Sequence, residues 1–133
     1  MTDDIFSKQI GNKEGQKSLL AKPVVVQGKQ AEPVLGKVNT KNAGKEVGKK
    51  LVLICKHPDK EEVIKISTLV FITGKSVKSS TMWINTDEDG NIQKGSIIAI
   101  LLGKYGLKTI NEIDGKTLDT ELDENKFLAI KGY

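Results

Sequence analysis

Alternating apolar and polar positions after residue 50 predict a series of short β-strands separated by polar turns. Between residues 63 and 72, Ile64 and Ile66 share one face of an extended chain, whereas Lys65 and Phe71 share the other. Repetition of this pattern is typical of a mainly β domain. The five predicted strands are residues 51–56, 63–72, 81–85, 116–122 and 127–133.

One good helix is predicted between the third and fourth of these strands. Ser96 is a favourable N-cap, and Gly106 suits the position that follows the end of a helix. Thr109 and Glu112 have the spacing of a capping box and predict a further short helical turn. The apolar side chains of the main helix form one broad stripe, expected to cover a sheet or fill a barrel. They are Ile97, Ile98, Leu101, Leu102 and Tyr105.

The first 49 residues differ from the rest and are interpreted as a lysine-rich arm. Residues 1–22 are polar and show no clear period. Two apolar clusters, around Val25 and Leu35, predict either two short strands or an extended segment that pairs with the main sheet. We therefore expect an arm at residues 1–49, partly extended or disordered, and one domain at residues 50–133.

The positive charge is concentrated in the first part of the chain. Residues 1–50 contain ten lysines and five acidic residues, whereas residues 51–133 contain eleven lysines and twelve acidic residues. All 21 basic residues are lysine, which neutralises phosphate well but reads base edges poorly. Any binding of nucleic acid is therefore expected to tolerate different sequences. An A/T-rich genome, which disfavours arginine codons, is an alternative explanation for the absence of arginine.

The element order after residue 50 is strand, strand, strand, helix, strand, strand, which is the order of an OB-fold β-barrel. The segments that carry the resemblance are GSIIAILL at 95–102, NEIDGK at 111–116 and FLAIKGY at 127–133. With these segments, residues 50–133 resemble the OB-fold single-stranded nucleic-acid-binding proteins of viruses, plasmids and prokaryotic cells. The resemblance implies a mainly β chain with one helix (OB-fold-like, β-β-β-α-β-β), with single-stranded DNA or RNA as its partner.

The same resemblance implies a ligand face on the outer surface of the second and third strands. Trp83, the single tryptophan, and Phe71 would stack on bases there, beside Lys65. Lys49, the last residue of the arm, and Lys50, the first residue of the domain, would neutralise phosphates together with the other lysines of the arm. A buried structural role is the alternative for Trp83.

A different function is also compatible with this pattern. Leu69, Phe71 and Trp83 could form an apolar surface for a partner or for self-association into a homo-oligomer. Acidic residues in the two loops that would flank a ligand oppose phosphate binding unless they turn away. These residues are Asp59, Glu61, Glu62, Asp123 and Glu124. A protein-interaction or assembly module is therefore the alternative to a nucleic-acid-binding protein.

The residues with chemically reactive side chains do not form a recognisable catalytic or metal-binding pattern. His57, the single histidine, precedes Pro58 and is predicted to lie on a surface turn, whereas Cys55 is predicted to be buried. Residues 85–96 resemble a calcium loop, but Ser96 stands where a bidentate glutamate is required. We therefore expect a non-catalytic protein without a metal or other cofactor.

Targeting features complete the sequence-based expectations. The longest apolar run, residues 97–102, is too short to cross a membrane. The N-terminus is acidic and lacks the apolar segment of a signal peptide. Together with the single cysteine, these features predict a cytoplasmic protein that does not insert into membranes.

Overall fold

Strands make up most of the regular structure in the part of the chain that the structure, a computed structural model, describes: residues 9, 19–36, 41 and 43–133. The helical elements there are α1, Ile97–Lys104, and a 3-10 turn, Ile110–Ile113. The expected mainly β fold with one helix is thereby confirmed for the described residues. The strands are β1 Val24–Leu35, β2 Glu46–Lys56, β3 Ile64–Ile66, β4 Thr68–Thr73, β5 Ser76–Thr81, β6 Thr117–Leu118, β7 Thr120–Leu122 and β8 Leu128–Lys131.

The strands form two four-stranded sheets that curl like part of a barrel. The order is β3-β2-β1-β6 in the first sheet and β5-β4-β8-β7 in the second. Only Ser67 separates β3 from β4, and only Asp119 separates β6 from β7. Two segments of chain therefore run from one sheet into the other. Neighbouring strands pair antiparallel, except β4 and β8, which are parallel.

An apolar core lies between the sheets and is covered by α1. Ser96 caps this helix by accepting a hydrogen bond from the amide of Ala99 (3.4 Å), and Gly106 follows it with φ 68°. Both features agree with the sequence-based prediction. The core is formed by side chains that are at most 5% exposed. They are Val24, Val26, Leu51, Leu53, Cys55, Ile66, Leu69, Met82, Ile98, Leu101, Leu102, Ile113, Leu118 and Ile130.

β1 and β2 form a long antiparallel hairpin, which resolves the alternatives for the apolar clusters around Val25 and Leu35. The ladder runs from Val25 opposite Lys56 to Leu35 opposite Glu46, with irregularities after Val26 and Val34. The extended segment that pairs with the main sheet is thus the confirmed alternative. The expected division between residues 49 and 50 falls inside β2, whereas residues 1–8, 10–18, 37–40 and 42 of the expected arm lie outside the described residues.

The third predicted strand, residues 81–85, was wrong. The strand in this region is β5, which ends at Thr81 and pairs with β4 through a two-residue turn at Gly74 and Lys75. Beyond Thr81 the chain leaves the second sheet and runs beside β2. There Leu51 N donates to Met82 O (2.8 Å) and Ile84 N donates to Lys49 O (2.9 Å). β5 lacks an apolar alternation because no face of it is fully buried.

Candidate nucleic-acid interface

Trp83 lies on the outside of the first sheet, at the edge of β2. Its backbone forms an isolated antiparallel bridge with Lys50. Its ring is half-buried against Gly48, where an added Cβ would lie only 3.2 Å from Trp83 Cζ3. Met82, the preceding residue, is fully buried in the core. The indole therefore packs on the backbone of β2 and keeps part of its surface open to solvent.

Two of the predicted lysines share this outer surface. Leu51 and Leu53 face the core, so Lys50 must point to the outer side of β2. Lys65 is exposed on β3 and lies opposite Ile54, which is four residues beyond Lys50. Four residues along a strand span about 13 Å. Trp83 and Lys50 thus occupy one end of this surface, and Lys65 the other.

Phe71 and Lys49 do not join this group. Ile64 and Ile66 face inward on β3, but the next inward residue is Leu69, so the alternation shifts by one residue at Ser67. The carbonyl of Ser67 accepts a hydrogen bond from Met82 N (2.8 Å), which accompanies this break between the strands. Phe71 therefore lies on the same side of β4 as the core residue Leu69, whereas Lys65 lies on the outer side of β3.

Lys49 is separated from the outer surface by simple alternation. It is exposed and points to the opposite side of β2 from Lys50. Of the residues predicted to bind nucleic acid, the structure therefore brings Trp83, Lys50 and Lys65 to one surface. Phe71 is half-buried beside its cross-strand partner Lys78 in the second sheet.

A groove of about 400 Å³ opens beside Lys65. The parallel ladder between β4 and β8 pairs Leu69 with Ile130 and Val70 with Lys131. Before these pairs the two chain segments separate, and the groove lies between them. Its lining residues are Leu19, Ile64, Lys65, Ile66, Ser67, Thr68, Lys126, Phe127 and Leu128. Most of the described residues that line it are apolar, and the cationic ones among them are Lys65 and Lys126.

Phe127 is the most exposed large apolar side chain of the described residues, at 70%. The turn before it is held by Asp123, whose Oδ1 accepts hydrogen bonds from the amides of Asn125 (2.9 Å) and Phe127 (3.0 Å). Lys126 has a φ of 65°, and its amide donates to Asp123 O (2.9 Å). The turn therefore presents an aromatic ring and a lysine together at the mouth of the groove.

Sequence reasoning missed Phe127 because it was assigned to the fifth strand. The strand begins one residue later, at Leu128, and its core residue is Ile130. A signal was nevertheless present in the sequence. Asp123 and Asn125 are turn formers, so an aromatic residue directly after them could lie at the strand end and outside the pleated pattern.

Three of the five acidic residues that opposed phosphate binding are engaged in local bonds. Lys22 Nζ lies 2.9 Å from an oxygen of Asp59, and its hydrogen bond holds the pKa of that carboxyl below its ordinary value. Asp123 bonds to its own turn, as described above. Ser79 Oγ donates to Glu124 Oε2 (2.8 Å), which turns that carboxylate toward β5. Glu61 and Glu62 are exposed in the β2–β3 connection.

His57 was wrongly predicted to lie on the surface. It is fully buried, its Nδ1 accepts from Asp59 N (3.0 Å), and its Nε2 lies 2.7 Å from Leu20 O. Because Nδ1 accepts, the proton is carried by Nε2, which donates to the carbonyl. No pattern in the sequence indicated that residues near position 20 would cover this turn. Cys55 is buried as predicted, and burial raises the pKa of its thiol to about 12.

The loop that resembles a calcium site is held by hydrogen bonds between its own residues. Asp87 Oδ1 accepts from the amides of Asp89 (2.9 Å) and Asn91 (3.0 Å), and Gly90 has a φ of 80°. Within the described ranges, no group of three histidine, cysteine or acidic side chains is placed to hold a metal ion. Over the same ranges, no helix has the length and apolar character needed to span a membrane.

Comparison with known proteins adds no further constraint. Neither a family model, nor a curated protein, nor a solved structure matches this chain significantly. The function of this chain must therefore be inferred from the arrangement of its own residues.

Proposed function

We propose that the chain is a non-catalytic protein that binds single-stranded DNA or RNA with little sequence preference, and that its two sheets form one OB-type barrel. The strand neighbours support the barrel. If β3 with β4, and β6 with β7, are each counted as one strand, and the edge strand β5 is left out, the five remaining strands pair in the order 1-2-3-5-4-1. The helix then lies between the third and fourth strands, as it does in an OB-fold. In this proposal the first strand is β1, and the sequence-based numbering began one strand too late.

One observation carries the binding function: an exposed phenylalanine lines a groove together with two lysines. Phe127 offers an open ring face, and base–aromatic stacking is worth about 1–3 kcal/mol per base. Lys65 and Lys126 line the same groove and can neutralise the phosphates next to a stacked base. Neither a phenylalanine ring nor a lysine ammonium group reads base edges in a defined way, so the site favours binding that tolerates different sequences.

The outer surface of the first sheet extends this site. Lys50 and the open part of the Trp83 ring lie about 13 Å from Lys65 along β2. A strand that stacks on Phe127 could therefore continue across β3 and β2 toward Trp83. The lysines of the first 18 residues remain predicted phosphate ligands, which lie outside the described residues.

Titration with labelled oligothymidylate tests the proposed function. We expect binding that weakens with salt, and a Phe127→Ala variant about tenfold weaker at the same salt concentration. Replacing Lys65 with Gln and Lys126 with Asn should reduce the salt slope by about 1.4, since each phosphate contact to a single strand contributes about 0.7. Asn tolerates the positive φ of position 126. Lys75→Gln, in the β4–β5 turn, is the matched control. Absence of salt-sensitive binding would refute the proposal.

The alternative, an interaction module, is favoured by a different surface from the one expected. Leu69 is fully buried, so it cannot contribute to an outward patch. Ile72 and Val77, however, are cross-strand neighbours that are 48% and 56% exposed, and β5 is the edge of its sheet. Sedimentation velocity tests this candidate: a concentration-dependent oligomer that Val77→Lys dissociates would support it.

A further inference from the structure

Residues 19–23, here called the strap, are held by three polar anchors. His57 Nε2 donates to Leu20 O (2.7 Å), and Thr120 Oγ1 donates to Lys22 O (2.7 Å). Lys22 Nζ also pairs with Asp59 (2.9 Å). His57 and Asp59 belong to the β2–β3 connection, whereas Thr120 lies on β7 in the second sheet. The strap is therefore fastened to both sheets.

Between Leu20 and Pro23, apolar burial contributes little to the position of the strap. Leu20 is 62% exposed, and Ala21 and Pro23 are also exposed. Two of the three anchoring side chains, by contrast, are buried: His57 is 0% exposed and Thr120 is 8% exposed. Hydrogen bonds from buried side chains thus set where the strap lies, and their loss is expected to release it without opening the core.

The strap begins in the binding groove. Leu19 is one of the apolar residues that line it, together with Phe127 and the β3 residues. We propose that the strap is a positioning device, in which His57 and Thr120 hold Leu19 as a wall against a base stacked on Phe127. Neither anchor lines the groove, so both act through Leu19. This inference relies on the proposed function for the identity of the ligand.

A double-mutant cycle between Leu19 and Thr120 tests this role. Thr120→Val removes the hydroxyl that anchors the strap and keeps the side-chain volume, and Leu19→Ala removes the wall. We expect each variant to bind labelled oligothymidylate about fivefold more weakly, and the double variant to bind no more weakly than the weaker single variant. Thr117→Val, at an exposed position of β6 that forms none of the anchoring bonds of the strap, should bind like the wild type within about twofold.

Amide hydrogen exchange provides a readout that does not require nucleic acid. Lys22 N donates to Leu20 O, and Asp59 N donates to His57 Nδ1, so both amides report on the anchors. We expect faster exchange at Lys22 in Thr120→Val, and at both amides in His57→Phe, while the amides of β2 keep their protection. Should His57→Phe fail to fold, the exchange rate at Lys22 in Thr120→Val alone tests whether the anchors hold the strap.

Two results would overturn the inference: wild-type affinity in Thr120→Val, or additive losses in the double variant. Additivity would mean that Thr120 acts on binding by a route other than Leu19. Failure of the proposed function has a different signature. In that case the wild type shows no salt-sensitive binding at all, while the exchange experiment still reports whether the anchors hold the strap.

Discussion

Two aromatic regions flank the outer surface of this protein, and they differ in what their rings touch. Trp83 lies against the backbone of β2, with Gly48 leaving room for its ring. Phe127 is 70% exposed at the end of a tight turn and lines a groove together with Lys65 and Lys126. The local backbone thus determines how much of each ring a ligand can reach: Trp83, bridged to β2, is half-buried, whereas Phe127, which precedes β8, is mostly exposed.

The largest difference is expected in stability. Trp83→Ala removes a half-buried ring that packs on β2, and should lower the free energy of unfolding by about 2–3 kcal/mol. Phe127→Ala should change it by less than about 0.5 kcal/mol, since the ring is mostly in solvent. Urea denaturation followed by far-UV circular dichroism measures both. Equal losses in the two variants would remove the distinction between the regions.

The second effect is on ligand binding, which is expected to depend on Phe127 more than on Trp83. Phe127→Ala should weaken binding of oligothymidylate about tenfold, whereas Phe127→Trp should retain wild-type affinity within about threefold, because an exposed ring can be exchanged for a larger one. Fluorescence anisotropy of the labelled oligonucleotide measures the affinities. Wild-type affinity in Phe127→Ala would place the ligand elsewhere.

Some parts of the molecule could be predicted from the sequence, and others could not. The helix was readable because Ser96 and Gly106 are local signals of its two ends. β5 was not, because a strand without a buried face carries no alternation. The reversal of side-chain facing at Ser67 was also hidden, since it occurs where Ser67 bonds to Met82, a residue distant in sequence.

The candidate site was predictable in part for the same reason. Lys65 and Trp83 were placed on one surface by alternation along strands, which is a local rule, whereas Lys50 was predicted only as a phosphate ligand beside the arm. Phe71 was assigned to that surface across the break at Ser67, where the rule fails. Phe127 was missed because its exposure depends on where β8 begins, and element boundaries are set by tertiary pairing.

A third effect should follow from the turn that presents Phe127. Asp123→Ala removes the acceptor for the amides of Asn125 and Phe127, whereas Asp123→Asn removes the charge and keeps an acceptor. We expect the Ala variant to bind about threefold more weakly than the Asn variant, because a disordered turn no longer holds the ring in place. Anisotropy titrations of the two variants at one salt concentration isolate the acceptor from the charge. Identical affinities of the two variants would show that the turn does not need the hydrogen-bond acceptor at position 123.

The smallest effect concerns pH and the strap. The hydrogen bond from Lys22 lowers the pKa of Asp59 in the folded protein, so this pair stabilises the fold above the ordinary value of 3.8 and is lost as the pH falls through the lower, folded value. Exchange at the amide of Lys22, corrected for the intrinsic rate, should therefore accelerate on acidification below about pH 4. In Asp59→Asn this acceleration should disappear. Its persistence would assign it to another group.

The most direct test of the proposed interface is a map of amide chemical shifts during titration with a single-stranded oligonucleotide. We predict the largest changes at residues 64–68 and 126–128, with smaller ones near Lys50 and Trp83, and with the β4–β5 turn unaffected. Shifts confined to Ile72, Val77 and their neighbours, or no shifts at low salt, would contradict binding of nucleic acid in the Phe127 groove.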